Sequence, residues 1–194
     1  MLKWVSVWGA MTQNNFSREK LRELALYVAE RSVEDPRFGA TKLNKILFFS
    51  DFIAYGRWGT PITGATYQRL DRGPAAREWL PIQKELEEER EAVVVKHKRF
   101  NLEQKRLLPL RDANLSHFSA EEIALVDSVI DALRQYTATG VSDLSHDVAV
   151  GWQIAKQGED IPYESVFISQ EPPTPTDIRR GQELAKEHGW LADV

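Results

Sequence analysis

The stretch from Thr41 to Trp79 constrains the fold of this chain more than any other. Its first half carries Leu43, Ile46, Leu47, Ser50, Ile53 and Ala54 at the i, i+3, i+4, i+7 spacing of one helix face. Phe48, Phe49 and Phe52 flank that stripe, so the helix is apolar over much of its circumference and needs other elements wrapped around it. The spacing predicts a helix from Thr41, its natural cap, to Tyr55, with Gly56 just past the end where a left-handed backbone is tolerated. Gly59-Thr60-Pro61 and Gly64 punctuate the next residues, and Ala65 to Leu70 has the composition of a short strand. Asp71-Arg72-Gly73-Pro74 closes that run as a tight turn. A helix with Trp79, Ile82 and Leu86 on one face is expected to open near Pro74.

The flanking segments supply the elements that such a helix needs. Ser17 is a natural N-cap, and the helix behind it carries Leu21, Leu24, Ala25, Val28 and Ala29 on one face before Asp35-Pro36 stops it. With the central helix it is expected to form an αα-hairpin. The helix from about 75 to 91 ends in an acidic run that reads as a solvated face. Beyond it lie two β-type runs, AVVVKHKRF and KRLLPLRD, split by Asn101-Leu102-Glu103-Gln104, with Pro109 placing the second at an edge. Lys96, Lys98, Arg99, Lys105 and Arg106 make this hairpin basic, a pattern that guards an edge against strand addition more often than it touches nucleic acid.

Ser119 and Glu122 form a capping box for a helix with Ile123, Val126, Val129, Ile130 and Leu133 buried, expected to be the longest and to run to Thr139-Gly140. Ser142 then caps a short helix, SDLSHDVAV, and another segment begins at Gly151-Trp152. Ile161-Pro162 and Val166-Phe167-Ile168 read as an extended piece closing the core. SQEPPTPTD is a stiff Pro-rich linker to a last helix, about Thr176 to His188, whose apolar face of Ile178, Leu184 and Ala185 is thin. Near the N-terminus, Trp4, Val5, Val7 and Trp8 alternate like a strand, and Met11 is an alternative start. The expected fold is α+β and mostly α-helical: a helical core around a central helix, with a small β-hairpin or sheet on one side. Its expected organisation is an N-terminal extension over 1–16, one domain over 17–170, and the linker with its helix over 171–194.

Composition narrows the function. With 194 residues, 42% of them hydrophobic, the chain can bury one sizeable core. A net charge of −4 is not the footprint of a protein that lives on phosphate contacts, so nucleic acid is not the expected partner. No stretch approaches the ~20 apolar residues of a membrane span, and cysteine is absent, which removes disulfides, thiol nucleophiles and Cys-ligated zinc. The four histidines fall in no metal-binding spacing, so no metal or other cofactor is expected, and the chain reads as cytoplasmic.

His146, with Asp143 and Asp147 beside it, is the single place for a general base. No GxSxG, Gly-rich phosphate loop or Walker lysine accompanies it. A histidine among Ser142, Asp143 and Ser145 is more often a hydrogen-bonded structural residue. Arg72 in its turn offers a planar fork to a carboxylate or phosphate, although the same four residues also suffice as a plain turn. Aromatics near the end of the central helix suit protein recognition, which puts the expected contact surface at Trp58, Tyr67, Arg69, Asp71 and Arg72.

Residues 42–79 resemble the opening of the SocA-like, or Panacea, antitoxin domain: a K-L-x-K-hydrophobic helix, a small-residue turn, a short strand and a Gly-Pro corner. Lys42, Leu43, Lys45, Ile46, Leu47, Tyr55, Gly56, Tyr67, Gly73 and Pro74 fill those places, and Leu144-Ser145-His146 with Trp152 is similar to the later signature. The corner departs from the pattern at Arg69-Leu70-Asp71-Arg72 and at Ala75-Ala76. The resemblance covers about residues 17 to 168. It implies structural roles for Lys42, Leu43, Lys45, Gly73, Pro74, His146 and Trp152, with no cofactor and no catalytic residue. It further implies a bacterial or phage protein of a toxin-antitoxin system, whose partner is a cognate toxin protein. Two alternatives stand beside direct neutralisation: an adaptor that hands the toxin to an AAA+ protease through the 171–194 tail, and an enzyme using His146.

Overall fold

A computed structural model of the protein describes residues 15–99, 102–169, 171–187 and 189. The alternating segment at Trp4 to Trp8 lies outside the described residues. Helix α1 (Arg18–Arg31) opens on Ser17, whose Oγ accepts from the Lys20 backbone N–H at 3.2 Å. Its apolar side, Leu21 through Val28, is buried against helix α2 (Ala40–Trp58) and later elements of the chain. Helix α2 is the centre of the core, as its composition requires: Leu43, Ile46, Leu47, Phe48, Phe52 and Ala54 are all buried.

The α2 boundaries differ from the expected Thr41–Tyr55. Gly39, extended rather than helical, is its N-cap, and the helix continues through Gly56 to end at Gly59, whose φ of 74° is left-handed. Gly56 is helical and presents its bare Cα to Val166, whose Cγ2 lies 3.4 Å from where a Cβ would stand. At 19 residues α2 is longer than α4 (Ala120–Leu133) at 14, reversing the expected order.

After α2 the strand composition of 65–70 yields only a two-residue strand, β1 (Tyr67–Gln68), paired antiparallel with β2 (Ala75–Ala76) in the register Tyr67↔Ala76. Pro74 therefore leads into a strand and not into a helix, and α3 (Trp79–Glu88) starts later than expected. Trp79, Ile82 and Leu86 do form its buried face. Strands β3 (Ala92–Arg99) and β4 (Leu102–Pro109) make the expected antiparallel hairpin, with Val94 opposite Leu107 and Lys98 opposite Glu103. Leu102, Glu103 and Gln104 belong to β4 instead of splitting the runs. Leu107 is buried, Gln104 donates to the Phe38 carbonyl at 2.6 Å, and Arg106 donates to the Val33 carbonyl at 2.9 Å, so the hairpin's second strand is fastened to the α1–α2 connection.

Helix α4 opens on the complete capping box of Ser119 and Glu122. It ends at Leu133, well short of Thr139, because Thr137 caps a new helix, α5 (Ala138–Val148), that contains Gly140 and Ser142. Helix α6 (Val150–Ile154) comes directly after it, and Tyr163–Phe167 is a 3-10 turn where an extended piece was expected. Helix α7 (Pro175–Glu187) has no buried residue. The architecture is mostly helical α+β, with two small antiparallel sheets beside a helical core. Among the described residues no helix is long and apolar enough to cross a membrane.

Candidate functional site

The Gly73-Pro74 corner is held from beneath by buried side chains. Lys45 is buried in the middle of α2, and its ammonium donates to the Pro74 carbonyl at 2.9 Å. Gly73 has φ +91°, and a Cβ there would stand 2.5 Å from Ser145 Oγ and 2.6 Å from Lys45 Cε, so only glycine fits. From α5, Ser142 Oγ donates to the Arg72 carbonyl at 3.1 Å; from α6, the Trp152 indole N–H donates to the Leu70 carbonyl at 3.1 Å. The Arg69 guanidinium donates to the Ala155 carbonyl at 2.7 Å and lies 4.6 Å from the centre of the Trp152 ring. His146 stacks on Trp152 with ring centres 3.8 Å apart and planes 8° from parallel. Lys45, Gly73, Pro74, His146 and Trp152, far apart in sequence, are thus one cluster.

The cluster's chemistry is that of a fastener. Burial lowers the pKa of the Lys45 ammonium to about 7, and among the described residues it has no ion-pair partner. Burial also lowers His146, with the nearby Lys45 charge adding to it, so the imidazole is neutral at neutral pH. His146 sits in the last turn of α5, not near its start, and Ser145 Oγ donates its own proton to the Ser142 carbonyl at 2.7 Å. Lys42, the other motif lysine, pairs with Asp35 at 2.7 Å and donates to the Arg134 carbonyl at 3.0 Å, tying α2 to the end of α4; Leu43 beside it is core.

The expected contact residues separate. Tyr67 is not on a rim: it is 1% exposed, stacks edge-on against Phe48 and Phe52, and donates to Asp51 at 2.9 Å. Arg69 is committed to Trp152 and Ala155. Asp71 and Arg72 are exposed beside α5, whereas Trp58, 42% exposed, closes α2 next to α4. There Trp58 and Arg57 line a shallow groove with Glu121, Leu125 and Ser128.

Two features are not evident from the sequence alone. Asp51 is wholly buried and accepts from the Thr63 backbone N–H at 2.7 Å and from the Thr63 and Tyr67 hydroxyls, while the Tyr163 hydroxyl, 3.4 Å from it, donates to the Ala65 carbonyl at 2.7 Å. Burial raises its carboxyl to about 6 against the pull of those donors. The signal for it is a lone acid inside an apolar helix. The second feature is an apolar groove of about 270 Å³. Phe48, Phe49, Phe52 and Ile53 of α2 form its floor, Val148 to Val150 one wall, and Ser165, Val166 and Ile168 the other. Val148 is 54% exposed and Phe167, which packs on Tyr55, is 64% exposed. The signal for the groove is the pair of short apolar runs near the C-terminal end of the core. Among the described residues no group of His, Asp and Glu side chains could hold a metal ion.

The family model described as "Antitoxin SocA-like, Panacea domain" matches residues 43–153, more than half of the chain. No curated protein and no solved structure matches it.

Proposed function

Because the chain belongs to the SocA-like antitoxin family with the Panacea domain, we propose that it neutralises a cognate toxin protein by direct binding and without catalysis. The observation that carries this reading is the open apolar groove between α2, the α5–α6 junction and the 3-10 turn. Large apolar side chains left in water around a preformed hollow are the usual mark of a protein-binding surface, and buried aromatic anchors supply most of the energy there. The binding unit is residues 17–170. Its floor and first wall fall inside the matched region, whereas the wall at 165–168 lies beyond residue 153. That wall suits the choice among toxins. Trp58 stands at the same end of α2 as Gly56, against which Val166 packs, and serves as a flanking contact.

The test is co-expression with the product of the adjacent reading frame. Growth arrest by that product alone, relieved by this protein, is the expected result. The double variant V166D/F167D should accumulate normally yet leave the arrest in place. Arrest that persists beside the wild-type protein would show the reading to be wrong.

A further inference from the structure

Helix α7 is amphipathic and its apolar side is only partly covered, with Leu184 and Ala185 half-buried. None of its residues is buried, and Ile178 is left about half exposed. Its apolar positions Ile178 and Ala185, at i and i+7, lie one above the other, and Leu184 widens that side to an apolar arc of about 120°. The chain reaches α7 directly from the apolar groove: Ile168 lines the groove, and Pro175 begins the helix. The six intervening residues, with Pro172 and Pro173 among them, carry the chain from Ile168 to Pro175 in seven steps, roughly 22 Å at about 3.1 Å per residue. Ile178 lies one turn into the helix, within reach of a groove whose own edge is the tether's origin.

Charge also matches. Asp177 is occupied in capping α7, accepting from Thr174 N–H at 2.9 Å and Thr174 Oγ1 at 2.6 Å, and Arg180 pairs with Glu183. Arg179, next to Ile178, forms no ion pair among the described residues. Acids flank the groove's lining: Asp147 precedes Val148, and Glu164, which accepts from the Tyr55 hydroxyl at 3.0 Å, precedes Ser165.

We infer that α7 is a tethered lid that closes over the apolar groove of its own chain, Ile178 inward and Arg179 toward Asp147 and Glu164, and that a partner protein must displace it. Competition with a partner rests on the antitoxin reading; the closure itself does not. Each lid contact is intramolecular, so closure is independent of protein concentration.

The natural absence of cysteine makes the test clean. In the full chain, V148C is combined either with I178C, on the apolar face of α7, or with E183C, on the opposite face. All three positions are exposed, so neither pair threatens the fold. Under mild oxidation the V148C/I178C pair should close to an intramolecular disulfide at least tenfold faster than V148C/E183C. Equal rates, or a product consisting only of covalent dimer, would overturn the lid. In a second arm, I178D in the full chain should bind the toxin from the adjacent reading frame several-fold more tightly than wild type. Unchanged affinity would overturn the competition. If neither protein binds that toxin, the functional reading fails while the disulfide result still decides the lid.

Discussion

Lys45 and Asp51 sit on the same helix, both buried, each facing only neutral partners: a carbonyl for the lysine, hydroxyls and a backbone N–H for the aspartate. Their effects on stability have opposite signs. Asp51 is raised from 3.8 to about 6, so between those values the folded protein holds a proton the unfolded chain has lost, and stability falls as pH rises. Lys45 is lowered from 10.5 to about 7, so between those values the unfolded chain holds the extra proton, and stability rises with pH. Urea denaturation across pH should therefore show a trough near pH 6 to 7, with limbs on the order of a few kcal/mol. K45M should flatten the alkaline limb and D51N the acid one. Gly73 belongs to the same scale. At φ +91°, with Ser145 and Lys45 where a Cβ would go, G73A should cost on the order of 2 kcal/mol or more, read as a lower urea midpoint at unchanged slope.

Elements fixed by local chemistry are legible in the sequence, and those fixed at a distance are not. The Ser17 cap and the Ser119–Glu122 capping box are each written within four residues, and both stand as expected. S119A should accordingly cost about 1 kcal/mol in thermal or urea denaturation and leave α5 unaffected. Pro74 misleads because a proline after glycine commonly opens a helix, whereas here Ala75 and Ala76 pair with Gln68 and Tyr67 across the corner. Gly56 misleads for a similar reason: its packing partner, Val166, lies far along the chain. Tyr67 reads as a rim aromatic until Asp51 is known to need its hydroxyl. The apolar groove takes its lining from three segments of the chain, 48–53, 148–150 and 165–168, each of which reads as core when taken alone.

At the scale of the whole molecule, the described residues form a closed core with an apolar groove open on one side. Lys42, Lys45, Asp51, Gly73 and Trp152 are all committed to fixing α2 against its neighbours and the corner, and that rigidity is what a preformed binding surface requires. Val148, Val166 and Ile168 leave exposed apolar surface along the groove, with Phe167 next to them, while Leu80, Ile154 and Leu110 are exposed elsewhere. The open face has two walls of different standing, one within the family match and one beyond it. Partner choice is accordingly expected to depend on residues 165–168, and neutralisation as such on the α2 floor. The most direct measurement is calorimetric titration of the adjacent reading frame's product into wild-type protein and into V166D/F167D. The wild type should bind and the variant should lose at least about thirtyfold in affinity, the effect of a hot-spot loss near 2 kcal/mol, with the fold retained by circular dichroism. Equal binding by both proteins would contradict recognition through the groove, and no binding by the wild type would contradict direct neutralisation.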